Sequence, residues 1–150
     1  MKKILYLIIT LIAISCEQKH FYNEFKSVDV KKWKSTDTLK YTVNTPEDDA
    51  NYTYAVSVRH QKDYEFSNLW LKVIIKGNST DTSFRFEVPL FKVDGKPYGK
   101  CSGSLCTQTM PIKAIDGIHK KGEYKISIIQ LMRKDPLDGI EDIGLIIDKR

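Results

Sequence analysis

The sequence has no apolar run long enough to cross a bilayer. A spanning helix needs about 20 apolar residues, and Ile4 to Ile14 offers eleven, interrupted by Tyr6 and Thr10. Cysteine is scarce, with three in 150 residues, so a dense disulfide framework cannot replace a hydrophobic core. The three histidines, His20, His60 and His119, show no metal-ligand spacing and read as solvated side chains in a tether, at a strand end and at a turn. There is no nucleophile-elbow glycine pattern and no phosphate-cradling loop. Carboxylates occur together as Asp48-Asp49, Asp63 with Glu65, and Glu141-Asp142. The first pair, beside Pro46, is turn chemistry, and the last reads as a neutraliser of Arg133. No enzyme, metal or cofactor is expected.

Charge excludes another class. The formal net charge of +5 falls to +3 once Lys2 and Lys3 are removed with a leader, leaving 22 of 24 basic side chains against 19 acidic ones. That excess is thinly spread, with no basic run longer than two residues in the remaining chain, as at Lys31-Lys32 and Lys120-Lys121. A nucleic-acid face needs a denser stripe, so no nucleic-acid partner is expected.

What is present begins at the amino end. Lys2 and Lys3 form a positive n-region, and Ile4 to Ile14 is the right length for the h-region of a secretory signal. Ala13-Ile14-Ser15-Cys16 then sets a small residue before a cysteine, the pattern of bacterial lipoprotein signals, and polarity switches at once to Glu17-Gln18-Lys19-His20. The pattern departs from its commonest form at Ala13 and Ile14, and the plain alternative is an ordinary signal with an incidental cysteine. The expectation is a signal peptide over 1–15, lipidation of the Cys16 thiol, and attachment to a membrane through that lipid. Two or more acyl chains anchor stably, at about 0.8 kcal/mol per buried methylene.

The remaining 135 residues suffice for one domain with a real core. With Cys16 assigned, Cys101 and Cys106 remain, within Cys-Ser-Gly-Ser-Leu-Cys. In an exported protein a structural disulfide is the leading expectation. Free thiols, or a metal or redox pair, are the alternatives.

The mature chain reads as strands. Leu39 to Val43, Tyr52 to Arg59, Leu69 to Lys76, Phe84 to Val88, Tyr124 to Ile128 and Ile143 to Ile147 alternate apolar and polar with a period of two. β-Branched and aromatic residues dominate them. Thr45-Pro46-Glu47-Asp48-Asp49, Gly77-Asn78, Asp94-Gly95-Lys96-Pro97, Asp116-Gly117 and Lys121-Gly122 supply turns. No mature segment keeps helical period for three turns. An all-β antiparallel sandwich of roughly 6–8 strands is expected, with 16–36 a tether and edge segment and 37–150 the domain. Val88 to Ile115 reads as a long irregular excursion. Trp33, Trp70 and Tyr98 could form a sugar-stacking platform, although packing over the sheet is the leading reading for the tryptophans.

Several separated blocks carry a family likeness. Phe21-Tyr22-Asn23-Glu24-Phe25-Lys26-Ser27 and Trp33 come first. Tyr64-Glu65-Phe66-Ser67-Asn68-Leu69-Trp70-Leu71, Pro89-Leu90, and Gly95 with Tyr98-Gly99-Lys100 follow. Gly122-Glu123-Tyr124, Gln130-Leu131-Met132-Arg133 and Leu137-Asp138-Gly139-Ile140-Glu141-Asp142-Ile143-Gly144-Leu145 complete the order. In these the chain resembles the gliding-motility lipoprotein family GldH of the Bacteroidetes, over nearly all of its mature length. The resemblance implies a non-enzymatic envelope lipoprotein needed for gliding, tied to type IX secretion and partnered by proteins of that machinery. An outer-membrane location is the expectation. Asn68, Trp70, Gln130, Arg133 and Asp142 are the candidate partner surface, with Gly139 and Gly144 as turn residues and Arg133 paired with Asp142. Cys101 and Cys106 depart from the family pattern, which is glycine-rich there. A carbohydrate-binding envelope lipoprotein using Trp70 and Tyr98 is the alternative.

Overall fold

The alternating runs become strands of two facing antiparallel sheets in the computed structural model, which describes residues 20–49, 51–77, 80–112, 118 and 120–149. The signal peptide, Cys16 and His119 lie outside the described residues. In chain order the strands are β1 (Tyr22–Ser27), β2 (Leu39–Thr45), β3 (Tyr52–Gln61), β4 (Asn68–Gly77), β5 (Thr80–Pro89), β6 (Lys100–Ser102), β7 (Leu105–Ile112), β8 (Gly122–Gln130) and β9 (Ile140–Lys149). One sheet runs β1-β9-β3-β7-β6 and the other β2-β8-β4-β5. The all-β sandwich expected from the sequence is what forms. The nine strands among the described residues exceed the expected number because the stretch after Val88, expected to be irregular, contains the β6–β7 hairpin.

The period of two decides which side chains are inside. On β4, Leu69, Leu71, Val73 and Ile75 are fully buried while Trp70, Lys72, Ile74 and Lys76 face outward. Tyr124, Ile126 and Ile128 of β8 and Tyr41 and Val43 of β2 extend the same inner layer. Opposite them stand Val56 and Val58 of β3 and Ile143, Leu145 and Ile147 of β9. Burying each large aliphatic side chain contributes about 1.5–3 kcal/mol relative to leaving it in water. The Tyr41 hydroxyl donates to the Ile143 carbonyl at 2.7 Å, so one hydrogen bond crosses between the sheets. Burial raises the pKa of that phenol, which keeps it a donor.

Strand direction gives the sandwich two distinct ends. Tyr22 pairs with Ile147 and Tyr52 with Lys149, so the start of β1 shares an end with the β2–β3 and β4–β5 connections. Lys149 closes that end by pairing with Glu47 at 2.5 Å. The opposite end holds the β3–β4 connection, the β8–β9 loop and a plug formed by Trp33. Trp33 is 1% exposed, exchanges backbone hydrogen bonds with Leu137, and donates its indole N–H to the Asp37 carbonyl at 3.0 Å.

Candidate functional site

The outer face of the four-stranded sheet becomes a groove at the plugged end. Beyond Gln130 the chain turns across the start of β4: the Leu131 N–H donates to the Trp70 carbonyl at 2.8 Å, and the Trp70 N–H donates to Met132 Sδ at 3.3 Å. These bonds hold Leu131, Met132 and Arg133 beside Phe66, Asn68, Trp70 and the outward-facing Arg85 of β5, around a hollow of about 520 Å³. Trp70 is 37% and Leu131 38% exposed, high values for side chains of their size. The rim is cationic. Among the described residues no carboxylate pairs with Lys72, Arg85 or Arg133, and the nearby Glu87 carboxylate accepts from the Asn68 amide at 2.7 Å.

The expected surface residues therefore divide. Asn68, Trp70 and Arg133 share this groove. Gln130 is fully buried beneath it, accepting from the Met132 N–H at 2.7 Å and donating to the Trp33 carbonyl at 3.4 Å. It fixes the turn and offers no surface. Asp142 sits on the other sheet's outer face, where it accepts from Arg59 at 2.9 Å and from the Ser27 hydroxyl at 2.6 Å. The expected Arg133–Asp142 pair does not form, because Arg59 of β3 is directly opposite Asp142 across the ladder. Gly139 has φ +83°, as its turn requires, whereas Gly144 lies inside β9 rather than in a turn. Leu131 and Met132, from the same family block as Gln130 and Arg133, also line it, and Phe66 and Arg85 join the site unanticipated. Strand parity on β4 and β5 would have set Arg85 outward, but the crossing of 131–133 over Trp70 has no sequence signal.

One further expectation is overturned by burial. His60 is fully enclosed instead of solvated, because the alternation of Tyr52, Tyr54, Val56 and Val58 carries it inward. Its Nδ1 bonds the Gln61 carbonyl at 2.9 Å, its Nε2 has no partner, and Tyr64 and Phe91 stand around the ring. Desolvation lowers its pKa, so the neutral imidazole is the folded form. His20, placed in the tether, pairs with Asp148 at 2.8 Å. Trp33, as the buried plug, cannot belong to a stacking platform, while Trp70 and Tyr98 remain accessible. Cys101 and Cys106 face each other across β6 and β7 and are joined as a disulfide, with Cys106 buried opposite His60. Among the described residues no group of three or more His, Cys, Asp or Glu side chains could hold a metal.

Comparison with known proteins adds the family. A gliding motility lipoprotein GldH homolog of Christiangramia forsetii is 28% identical over 151 residues, covering 95% of this chain and 92% of the relative. The gliding motility lipoprotein GldH of Flavobacterium johnsoniae is 26% identical over 152 residues, covering 96% and 94%. Among solved structures, a family 35 carbohydrate binding module from Clostridium thermocellum aligns with a TM-score of 0.37 at 12% identity, covering 83% of this chain and 89% of that one. So low a score carries no argument. The family model described as GldH lipoprotein matches residues 20–147, nearly all of the two-sheet sandwich, and the chain belongs to that family.

Proposed function

We propose that this chain is a lipid-anchored component of the cell envelope that serves gliding and the associated type IX secretion by binding other proteins, not by catalysis. The supporting observation is the family match, which spans β1 through nearly all of β9 and joins the chain to relatives named as gliding motility lipoproteins. Cys16 supplies the anchor, in the outer membrane. The sandwich behind it is a rigid mount, its core closed at one end by Trp33 and across the middle by the Tyr41–Ile143 bond.

The test is deletion of the gene in a gliding host, followed by colony spreading and export of surface adhesins. Loss of both, restored by the intact gene, is the expected result. Normal spreading and secretion in the deletion strain would refute the proposal.

A further inference from the structure

We infer that the groove at Trp70 is the docking site for an acidic segment of a partner protein that also carries apolar side chains, presented on the side of the domain facing away from the membrane. The inference deepens the function proposed above and rests on its anchoring through Cys16.

Charge and surface chemistry give the first part. Lys72, Arg85 and Arg133 rim the groove and its continuation along β5 with no carboxylate partner of their own among the described residues. Glu87, opposite Trp70 on the same outer face, accepts from Asn68 and forms no ion pair with these cations, which still outnumber it three to one. Guanidinium groups bind carboxylates in a paired, directional way. Between them Trp70, Leu131 and Met132 offer an indole face, an aliphatic end and a thioether, surfaces that gain from covering an apolar side chain. The fitting ligand combines carboxylates with Phe, Leu or Trp.

Geometry decides between a protein and a lipid surface as the source of that negative charge. His20 lies four residues after Cys16, a stretch that reaches at most about 14 Å. The start of β1 is therefore held close to the anchoring membrane. The groove is at the other end of the strands. β4 and β5 each have ten residues, about 33 Å of rise; Arg133 lies past the far end of β8, whereas Arg85, opposite Lys72, stands about 17 Å along β5 from Thr80. With the strands upright on the membrane, headgroups of the anchoring leaflet are out of reach of Arg133 and lie below Arg85, whereas a segment of another protein can span both.

The decisive measurement uses the full lipidated chain on neutral phosphatidylcholine vesicles, panned against a displayed library of random twelve-residue peptides. Enrichment of peptides pairing Asp or Glu with Phe, Leu or Trp is expected. Their synthetic forms should quench Trp70 fluorescence, and Arg85→Gln/Arg133→Gln should weaken them at least tenfold while leaving thermal unfolding unchanged. A library that enriches nothing, that enriches neutral or basic peptides, or whose binders ignore the double variant would overturn the inference. So would tight binding of anionic phosphatidylglycerol vesicles, through Arg85 and Arg133, by chain presented on neutral vesicles. The two readings fail separately. A deletion strain that glides refutes the function while leaving the peptide result standing. A deletion strain that does not glide, but is restored equally well by the intact gene and by Arg85→Gln/Arg133→Gln, refutes the groove alone.

Discussion

The ring of Phe25 on β1 lies directly on Gly144 of β9, so close that a Cβ on residue 144 would stand 2.6 Å from Phe25 Cε1. Glycine is required there by contact, since the strand continues through it. The same ring carries the Arg59 guanidinium 5.0 Å above it, and Arg59 in turn holds Asp142. Edge strand, glycine and ion pair form one unit on the outer face of the five-stranded sheet. Gly144→Ala should push Phe25 outward and cost about 1–3 kcal/mol, the usual range for overpacking. Adding Phe25→Leu should recover part of the loss. Urea unfolding of the detergent-solubilised protein checks both, and equal stability of Gly144→Ala and wild type would contradict the packing.

The ion pair makes a second test. Asp142 accepts two hydrogen bonds and its side chain is largely sheltered, whereas Arg133 stands in an open groove. Removing the Asp142 carboxylate leaves Arg59 and Ser27 unpaired, which costs about 1–2 kcal/mol. Arg133→Gln should stay within about 0.5 kcal/mol of wild type, as surface changes usually do. Denaturation midpoints of Asp142→Ala and Arg133→Gln compare them directly. A larger effect at Arg133 would restore the pairing expected from sequence.

How far the sequence could be read follows from these residues. Alternation predicts β2, β3, β4, β5, β8 and β9 because their inner positions are mostly Val, Ile, Leu, Phe and Tyr, whose burial and β preference act together. It missed β7, where Leu105-Cys106-Thr107-Gln108-Thr109-Met110-Pro111-Ile112 mixes polar residues into both faces and contains a proline. Pro111 is accommodated beside Ala55. Parity marks His60 and Gln130 as inward, since each stands two residues beyond a run of buried positions and continues its phase, although polarity alone places them at the surface. The Arg59–Asp142 register could not be read, because it joins residues 83 positions apart and depends on how β3 and β9 align. For the groove, Asn68, Trp70 and Arg133 were named from the family blocks, but their common location arises from a turn.

Acid should find the buried histidine. His60 is enclosed with Nε2 unpartnered, and desolvation lowers its pKa below the ordinary 6.5. A histidine depressed in the folded state contributes no loss above the unfolded pKa. As pH falls below about 6.5 the unfolded chain takes up the proton and the folded one resists, so stability declines until the folded pKa is passed. Unfolding free energy measured between pH 7.5 and pH 4.5 should fall, and His60→Leu, apolar like the Tyr64 and Phe91 around it, should lessen that slope. An unchanged slope in the variant would assign the acid sensitivity to other groups.

The anchor is the last prediction. Nothing in the sandwich requires a lipid for folding: its sheets are paired, its core is enclosed and its plug is internal. If the groove must face away from a membrane at a fixed height, the lipid acts through position, and the three residues between Cys16 and the described domain limit that height. Cys16→Ser, and separately residues 17–150 behind a conventional cleavable signal, should give folded protein that fails to restore spreading to a deletion strain. The second variant guards against retention of an uncleaved signal as a substitute anchor. Each acyl methylene contributes about 0.8 kcal/mol to membrane binding, so losing the chains should move the protein from the membrane to the soluble fraction. Full rescue by the soluble form would show that the domain works without its membrane position.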